Sequence, residues 1–174
     1  MKFTLLSYSA IKQIDTYATH TDYTILFFKK MDTILANAYI QQIEKNNYTL
    51  KFVGTIFRYV WNGFNLFNGI SKGEIELIED KGKLYVKHKL VYTEVFVLCC
   101  LFSIIPLMGL FDTILLRLLS AAIIWAIYFG NMFLANSRIF TIFKLIEKEI
   151  NQLPQYQQEA KYRNSIKNAP AGSK

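Results

Sequence analysis

Two long blocks of the chain carry no charge, and they set the first expectation. Seventeen residues from Val95 to Phe111 (VFVLCCLFSIIPLMGLF) and twenty from Leu118 to Ser137 contain no Asp, Glu, Lys or Arg. A helix needs about 20 apolar residues, at 1.5 Å each, to cross roughly 30 Å of hydrocarbon. Two adjacent uncharged blocks therefore predict a two-helix transmembrane hairpin over residues 91–135, in preference to a buried helical pair inside a soluble core. Pro106 removes the amide that would bond the carbonyl of Phe102, so the first helix kinks or ends there. PLMGLF then reads as a short turn, with Asp112 as the N-cap of the second helix.

The apolar pattern continues past the second block but changes character. In SRIFTIFKLIEKEINQL, Ile139, Ile142, Phe143, Ile146 and Ile150 recur at spacings of three and four. Residues 136–153 thus form a cytoplasmic amphipathic extension stopped by Pro154, whose stripe has to cover a bilayer surface, a partner or the protein's own domain. Residues 154–174 are polar and read as a disordered tail.

Upstream the period falls to two. GEIELIEDKGKLYVKHKLVY alternates apolar and charged residues around Asp80-Lys81-Gly82, which predicts a hairpin with Glu74 and Glu76 facing Lys87 and Lys89 across the strands. In YTLKFVGTIFRYVWNGFNLFNGI, Asn62-Gly63 and Asn68-Gly69 favour further strands, giving a meander over about 50–90; the alternative is an aromatic belt in the headgroup layer. Before it, a helix is expected over about 24–46, with Ile34, Leu35, Ala38 and Ile43 on one side and Asn46-Asn47 as its stop. The fold class is then an α+β membrane protein, a transmembrane hairpin joined to a small cytoplasmic domain of β-meander plus helix at 1–90. The start, MKFTLLSYSAIKQ, is broken by Ser7, Tyr8 and Ser9 and is expected to be retained rather than cleaved as a signal.

Charge gives the expected orientation. Twelve Lys/Arg stand against eight Asp/Glu in residues 1–90, seven against three in 134–174, and one against two between them. Lys81, Lys83, Lys87 and Lys89 precede the first block, and Arg138, Lys144 and Lys148 follow the second. By the positive-inside tendency both termini are cytoplasmic. These cations alternate with acids or lie close to the expected bilayer, so a nucleic-acid partner is not expected.

Candidate chemistry is sparse. Cys99 and Cys100 are adjacent within an apolar block, where a strained ring would be needed to join them, so they read as packing residues. His20 and His88 are the only histidines, and the sequence contains no phosphate-binding glycine loop, His-x-x-x-His pair or nucleophile elbow. No metal or cofactor is implied. Intramembrane charges are functional candidates by default, which brings forward Glu94 and Arg117. They sit at opposite ends of the expected hairpin, about 20 Å apart along its axis, too far for an ion pair within one chain. Arg117 then snorkels towards headgroups or Asp112, or meets a carboxylate of a neighbouring subunit.

The resulting candidates for membrane-interface or partner contacts are Glu94, Asp112, Arg117, Arg138, Ile142, Phe143 and Ile146. The expected partners are the lipid bilayer and either another membrane protein or a second copy of the chain. The Ile, Lys and Asn bias resembles AT-rich bacterial coding. The expected role is that of a non-enzymatic anchor, scaffold or accessory subunit of a membrane complex. The alternative is a homo-oligomeric pore or membrane-perturbing effector, with Ser120, Asn131 and Asn136 at helix contacts.

Overall fold

The computed structural model describes residues 2–38, 40–54, 70–106, 108, 113–154 and 156–157. Its elements run β1 (Lys2–Thr4), β2 (Ser7–Ile14), α1 (His20–Asn37), β3 (Gln41–Lys45), β4 (Thr49–Val53), β5 (Lys72–Asp80), β6 (Lys83–Val91), α2 (Thr93–Ile105) and α3 (Ile114–Asn151). The architecture is α+β. One antiparallel sheet has the order β1-β2-β6-β5-β4-β3, and one long apolar helix rises from it.

The alternation read from the sequence builds the centre of this sheet. Leu84, Val86, His88 and Leu90 of β6 face the same side as Ile75 and Leu77 of β5, Leu50 and Phe52 of β4, and Tyr8, Ala10 and Ile14 of β2. On the other side Glu76 faces Lys87 in register and pairs with it at 2.8 Å, while Glu74 faces Lys89. Lys81 and Gly82 close the hairpin with φ of 51° and 72°, the left-handed pair that a two-residue turn between twisted strands requires. Gly73 lies opposite Phe52, and the ring covers it so closely that a Cβ there would overlap the aromatic carbons.

Helix α1 starts earlier and ends earlier than the expected 24–46. Thr19 is its N-cap: the hydroxyl accepts the amide of Asp22 and donates to the Asp22 carboxylate at 2.8 Å. Tyr23, Phe27, Met31 and Leu35, four residues apart, turn one face into the core with Thr24 and Phe28. The helix closes at Ala38, and 41–45 becomes β3 because β4 lies beside it to complete a ladder, whose register shifts between Gln42 and Glu44. Strand β2 was not anticipated at all. Its inward row contains Lys12, a break in the apolar alternation that is repaired by Glu147 at 2.5 Å, 135 residues away. Since β2 lies beside β6 and β3 at the far edge, α1 crosses the sheet between them.

Helix α3 packs its second half over the same face. Ile139, Ile142, Phe143, Ile146 and Ile150 are buried, and Phe143 meets Phe27 of α1 with ring centroids 5.7 Å apart. The amphipathic stripe therefore covers the protein's own sheet. Each such buried side chain contributes about 1.5–3 kcal/mol relative to exposure. The last turns of α3 also hold the β2–α1 connection. Glu147 accepts the Asp15 amide at 3.1 Å, and Asn151 donates to the Asp15 carbonyl at 2.8 Å while accepting from the Thr16 hydroxyl and the Tyr17 amide. Pro154 follows the end of α3 as expected, but the chain stays packed as far as buried Tyr156.

The expected two-helix transmembrane hairpin is met in part: among the described residues one helix, α3, is long and apolar enough to cross a membrane. Helix α2 has 13 residues, about 20 Å at 1.5 Å each, short of a spanning length. Asp112, the expected N-cap of the second helix, lies outside the described residues, and the N-cap of α3 is Thr113, whose hydroxyl accepts the Leu116 amide. The aromatic segment 55–69, where strands or an interfacial belt were expected, and nearly all of the tail 154–174 lie outside the described residues.

Candidate membrane-binding surface

Beyond the sheet, α2 packs antiparallel on the first half of α3. The Tyr92 hydroxyl reaches the Met132 carbonyl at 3.5 Å, and Phe96 meets Trp125 and Tyr128 with centroids 5.6 and 6.0 Å apart. Cys99 and Ser103 line the seam on the α2 side. This edge-to-face cluster, extended by Trp125–Tyr128 at 5.7 Å, sits where the helix pair joins the sheet.

The outward surface of the pair is mostly apolar, with Asn131 among its few polar positions. On α2 it presents Val97, Leu101, Phe102, Ile104 and Ile105; on α3 it presents Ile114, Leu115, Leu116, Leu118, Leu119, Ile123, Ile127, Phe133 and Leu134. Only 17% of the most apolar 18-residue stretch of α3 is buried within the chain. The core helix of a water-soluble protein shows the reverse, because exposed apolar patches on monomers seldom exceed a few hundred Å². The few hydroxyls on these helices turn back onto their own backbone: Ser103 bonds the Cys99 carbonyl at 2.7 Å and Ser120 the Arg117 carbonyl at 2.9 Å. That is how hydroxyls are satisfied where water is absent.

The seven candidate contacts separate into three places. Ile142, Phe143 and Ile146 are brought together, but in the core under the sheet rather than at a bilayer or partner, because the sheet supplies the apolar face their stripe needs. Glu94 and Arg138 are half-buried on the sheet side of the helix pair, and the Glu94 amide bonds the Ser71 hydroxyl at 3.0 Å. Arg117 is half-buried in the first turn of α3, at the other end. Taking Phe96 against Tyr128 as the register, Arg117 lies about 20 Å along the axis from the level of Glu94. Asp112 lies outside the described residues.

Sequence reasoning missed a buried polar pair that joins sheet and helix. His88 is fully buried, stacks beside Tyr8 and meets the edges of Phe140 and Phe143, and its Nε2 shares a 2.8 Å hydrogen bond with Asn136 Oδ1. Burial pushes the imidazole below its ordinary range, with the Asn136 bond opposing. The alternation of Leu84, Val86, His88 and Leu90 already places this histidine on the inward row; Asn136 as its partner carries no local signal. Asn136 is also removed from the set proposed to line a pore.

A polar depression lies at the opposite end of the sheet, along Asp15, Thr16, Tyr17, His20, Glu147 and Asn151. Its groups are committed to structure: Glu147 to Lys12 and Asp15, Asn151 to the β2–α1 connection, and His20 Nδ1 to Glu79 at 2.8 Å. Among the described residues, no three of His, Cys, Asp and Glu gather in a metal-holding arrangement. No protein-family model matches the chain, and no curated protein or solved structure matches it either.

Proposed function

We propose that this protein is a non-enzymatic membrane-anchored scaffold or accessory subunit. The apolar helix pair enters the bilayer from the sheet side, and the α+β domain is held at the cytoplasmic surface. The observation that carries this reading is the outward apolar surface of α2 and α3, most of which the chain itself leaves uncovered. The excess of Lys and Arg on the sheet side of the pair supports the cytoplasmic placement of the domain and of both chain ends. The alternative of a homo-oligomeric pore has less support, because Asn136 is engaged with His88 and Ser120 with its own helix.

Flotation with liposomes tests the anchor. The wild-type chain should rise with vesicles and stay with them through alkaline carbonate. Ile123→Lys combined with Ile127→Lys should stay at the bottom of the gradient, since each lysine costs about 2.5–3.5 kcal/mol at the centre of a spanning helix. A wild-type chain that remains soluble and monomeric without detergent would remove the reading. Native mass in mild detergent then separates its forms: a stoichiometric partner or a homo-oligomer supports the scaffold role, whereas release of vesicle dye by the purified protein supports the pore.

A further inference from the structure

We infer that the β1–β2 turn is itself a lipid-contacting element: Leu5 and Leu6 enter the same leaflet as the helix pair and fix the sheet end-on against the bilayer. This inference rests on the membrane reading above and adds a second, non-helical contact to it.

Strand register places the turn at one end of the sheet. Thr4 pairs with Ser7, Ser7 with Val91 and Val91 with Lys72, so this row is the end from which the chain passes into α2. At the tip, Leu5 and Leu6 are 49% and 39% exposed, two adjacent apolar side chains at the end of the sheet from which α2 leaves.

Two hydrogen bonds set the depth. The Tyr128 hydroxyl donates to the Leu5 carbonyl at 2.6 Å, and the Tyr92 amide donates to the Leu6 carbonyl at 2.9 Å. The run of exposed apolar side chains on α3 extends towards the sheet as far as Leu134, six residues or about 9 Å beyond Tyr128. A long helical side chain leans towards its helix N-terminus, so the Tyr128 hydroxyl reaches still further from the sheet. The turn thus lies inside the apolar zone.

The polar groups of the turn are suited to that position. Both leucine carbonyls are taken, and the Thr4 hydroxyl lies 2.7 Å from the Ser7 hydroxyl, accepts the Ser7 amide at 3.1 Å and donates to the Ser7 carbonyl at 3.2 Å. An unmatched backbone group in lipid is costly, so these internal partners fit a turn that enters it.

The test uses a single environment-sensitive fluorophore, NBD, attached to the full chain in a Cys99→Ala, Cys100→Ala background. It is placed at Leu5→Cys, at Leu119→Cys on the outward face of α3, or at Lys81→Cys in the opposite turn. In phosphatidylcholine–phosphatidylglycerol vesicles, positions 5 and 119 should both emit to the blue of position 81. Both should be quenched by doxyl-labelled lipid and protected from iodide, with position 81 showing the reverse. If position 119 is lipid-quenched while position 5 is open to iodide, this inference is overturned and the anchor stands. If position 119 is also open to iodide, both fall. Leu6→Cys repeats the measurement should Leu5→Cys fail to fold.

Discussion

The two halves of α3 are one continuous helix, yet 17 of 21 residues are apolar from Ile114 to Leu134 against 8 of 17 from Ala135 to Asn151, and they are built for different surroundings. From Ile114 to Leu134 the side chains are apolar on nearly every side, and the chain buries only Tyr128 and Met132. From Ala135 to Asn151 a stripe of Ile139, Ile142, Phe143, Ile146 and Ile150 is buried, while Arg138, Lys144, Glu147, Lys148 and Glu149 occupy the remaining faces. The difference lies in the outward face rather than in the buried one. Where the outward face is charged, water completes the structure; where it is leucine and isoleucine, the structure is incomplete without an apolar surrounding.

The contrast is broken most sharply by removing one large side chain from each half. Phe143→Ala should destabilise the folded domain by about 3–5 kcal/mol, because it empties a space enclosed by Phe27, Phe140 and His88. Leu119→Ala, on the outward face of the first half, should change it by less than about 0.5 kcal/mol. Urea unfolding in detergent micelles, followed by near-ultraviolet circular dichroism, measures both. Equal effects would mean that the first half also packs against something.

An intermediate effect is expected at the junction. Asn136→Leu alone strands the buried imidazole and should cost about 1–3 kcal/mol, whereas Asn136→Leu with His88→Leu removes both partners and should recover most of that loss. The same pair sharpens the comparison through pH. Burial holds the imidazole of folded His88 below its ordinary value, so below about pH 6.5 the unfolded chain binds a proton that the folded chain refuses. Stability contributed by the neutral histidine is therefore full above that pH and falls as pH drops through it, by at most about 1.4 kcal/mol per unit. The double variant should show a shallower fall over the same window in urea titrations from pH 7.5 to 5.

A smaller loss than at the junction is expected at the end of the second half. Glu147→Gln keeps a hydrogen-bonding side chain beside Lys12 and the Asp15 amide but removes the charge of a partly buried pair, and should cost about 1 kcal/mol. Thermal unfolding at low and high salt checks it, since the loss should shrink as salt screens the wild-type pair.

What could be read in advance follows the range of the forces involved. The β5–β6 hairpin was legible because alternation, a left-handed turn at Lys81-Gly82 and facing charges all lie within 20 residues of one another. The buried stripe of α3 was legible as a stripe, but not as to what it covers, since its partners Phe27 and Val86 give no sign in the local pattern. Strand β2 escaped because Lys12 interrupts its apolar row, and the carboxylate that makes this lysine tolerable is on the last helix. The overrun of the expected helix into β3 has a similar origin: Ile40 and Ile43, three apart, carry a helical spacing, and only pairing with β4 makes the segment a strand. The short α2 shows a different limit, because an uncharged block marks where charge is absent rather than where a helix begins and ends.

The continuity of α3 has a mechanical consequence. Its 38 residues run about 57 Å without a break, and no linker separates the half that faces apolar surroundings from the half bonded to the sheet. Such a rod acts as a shaft with a fixed angular phase: each residue inserted near Ala135 would rotate the sheet by about 100° about the helix axis relative to the first half, and seven would return it to within about 20°. The direction in which the sheet faces along the surface is thus written into the residue count between Tyr128 and Ile139.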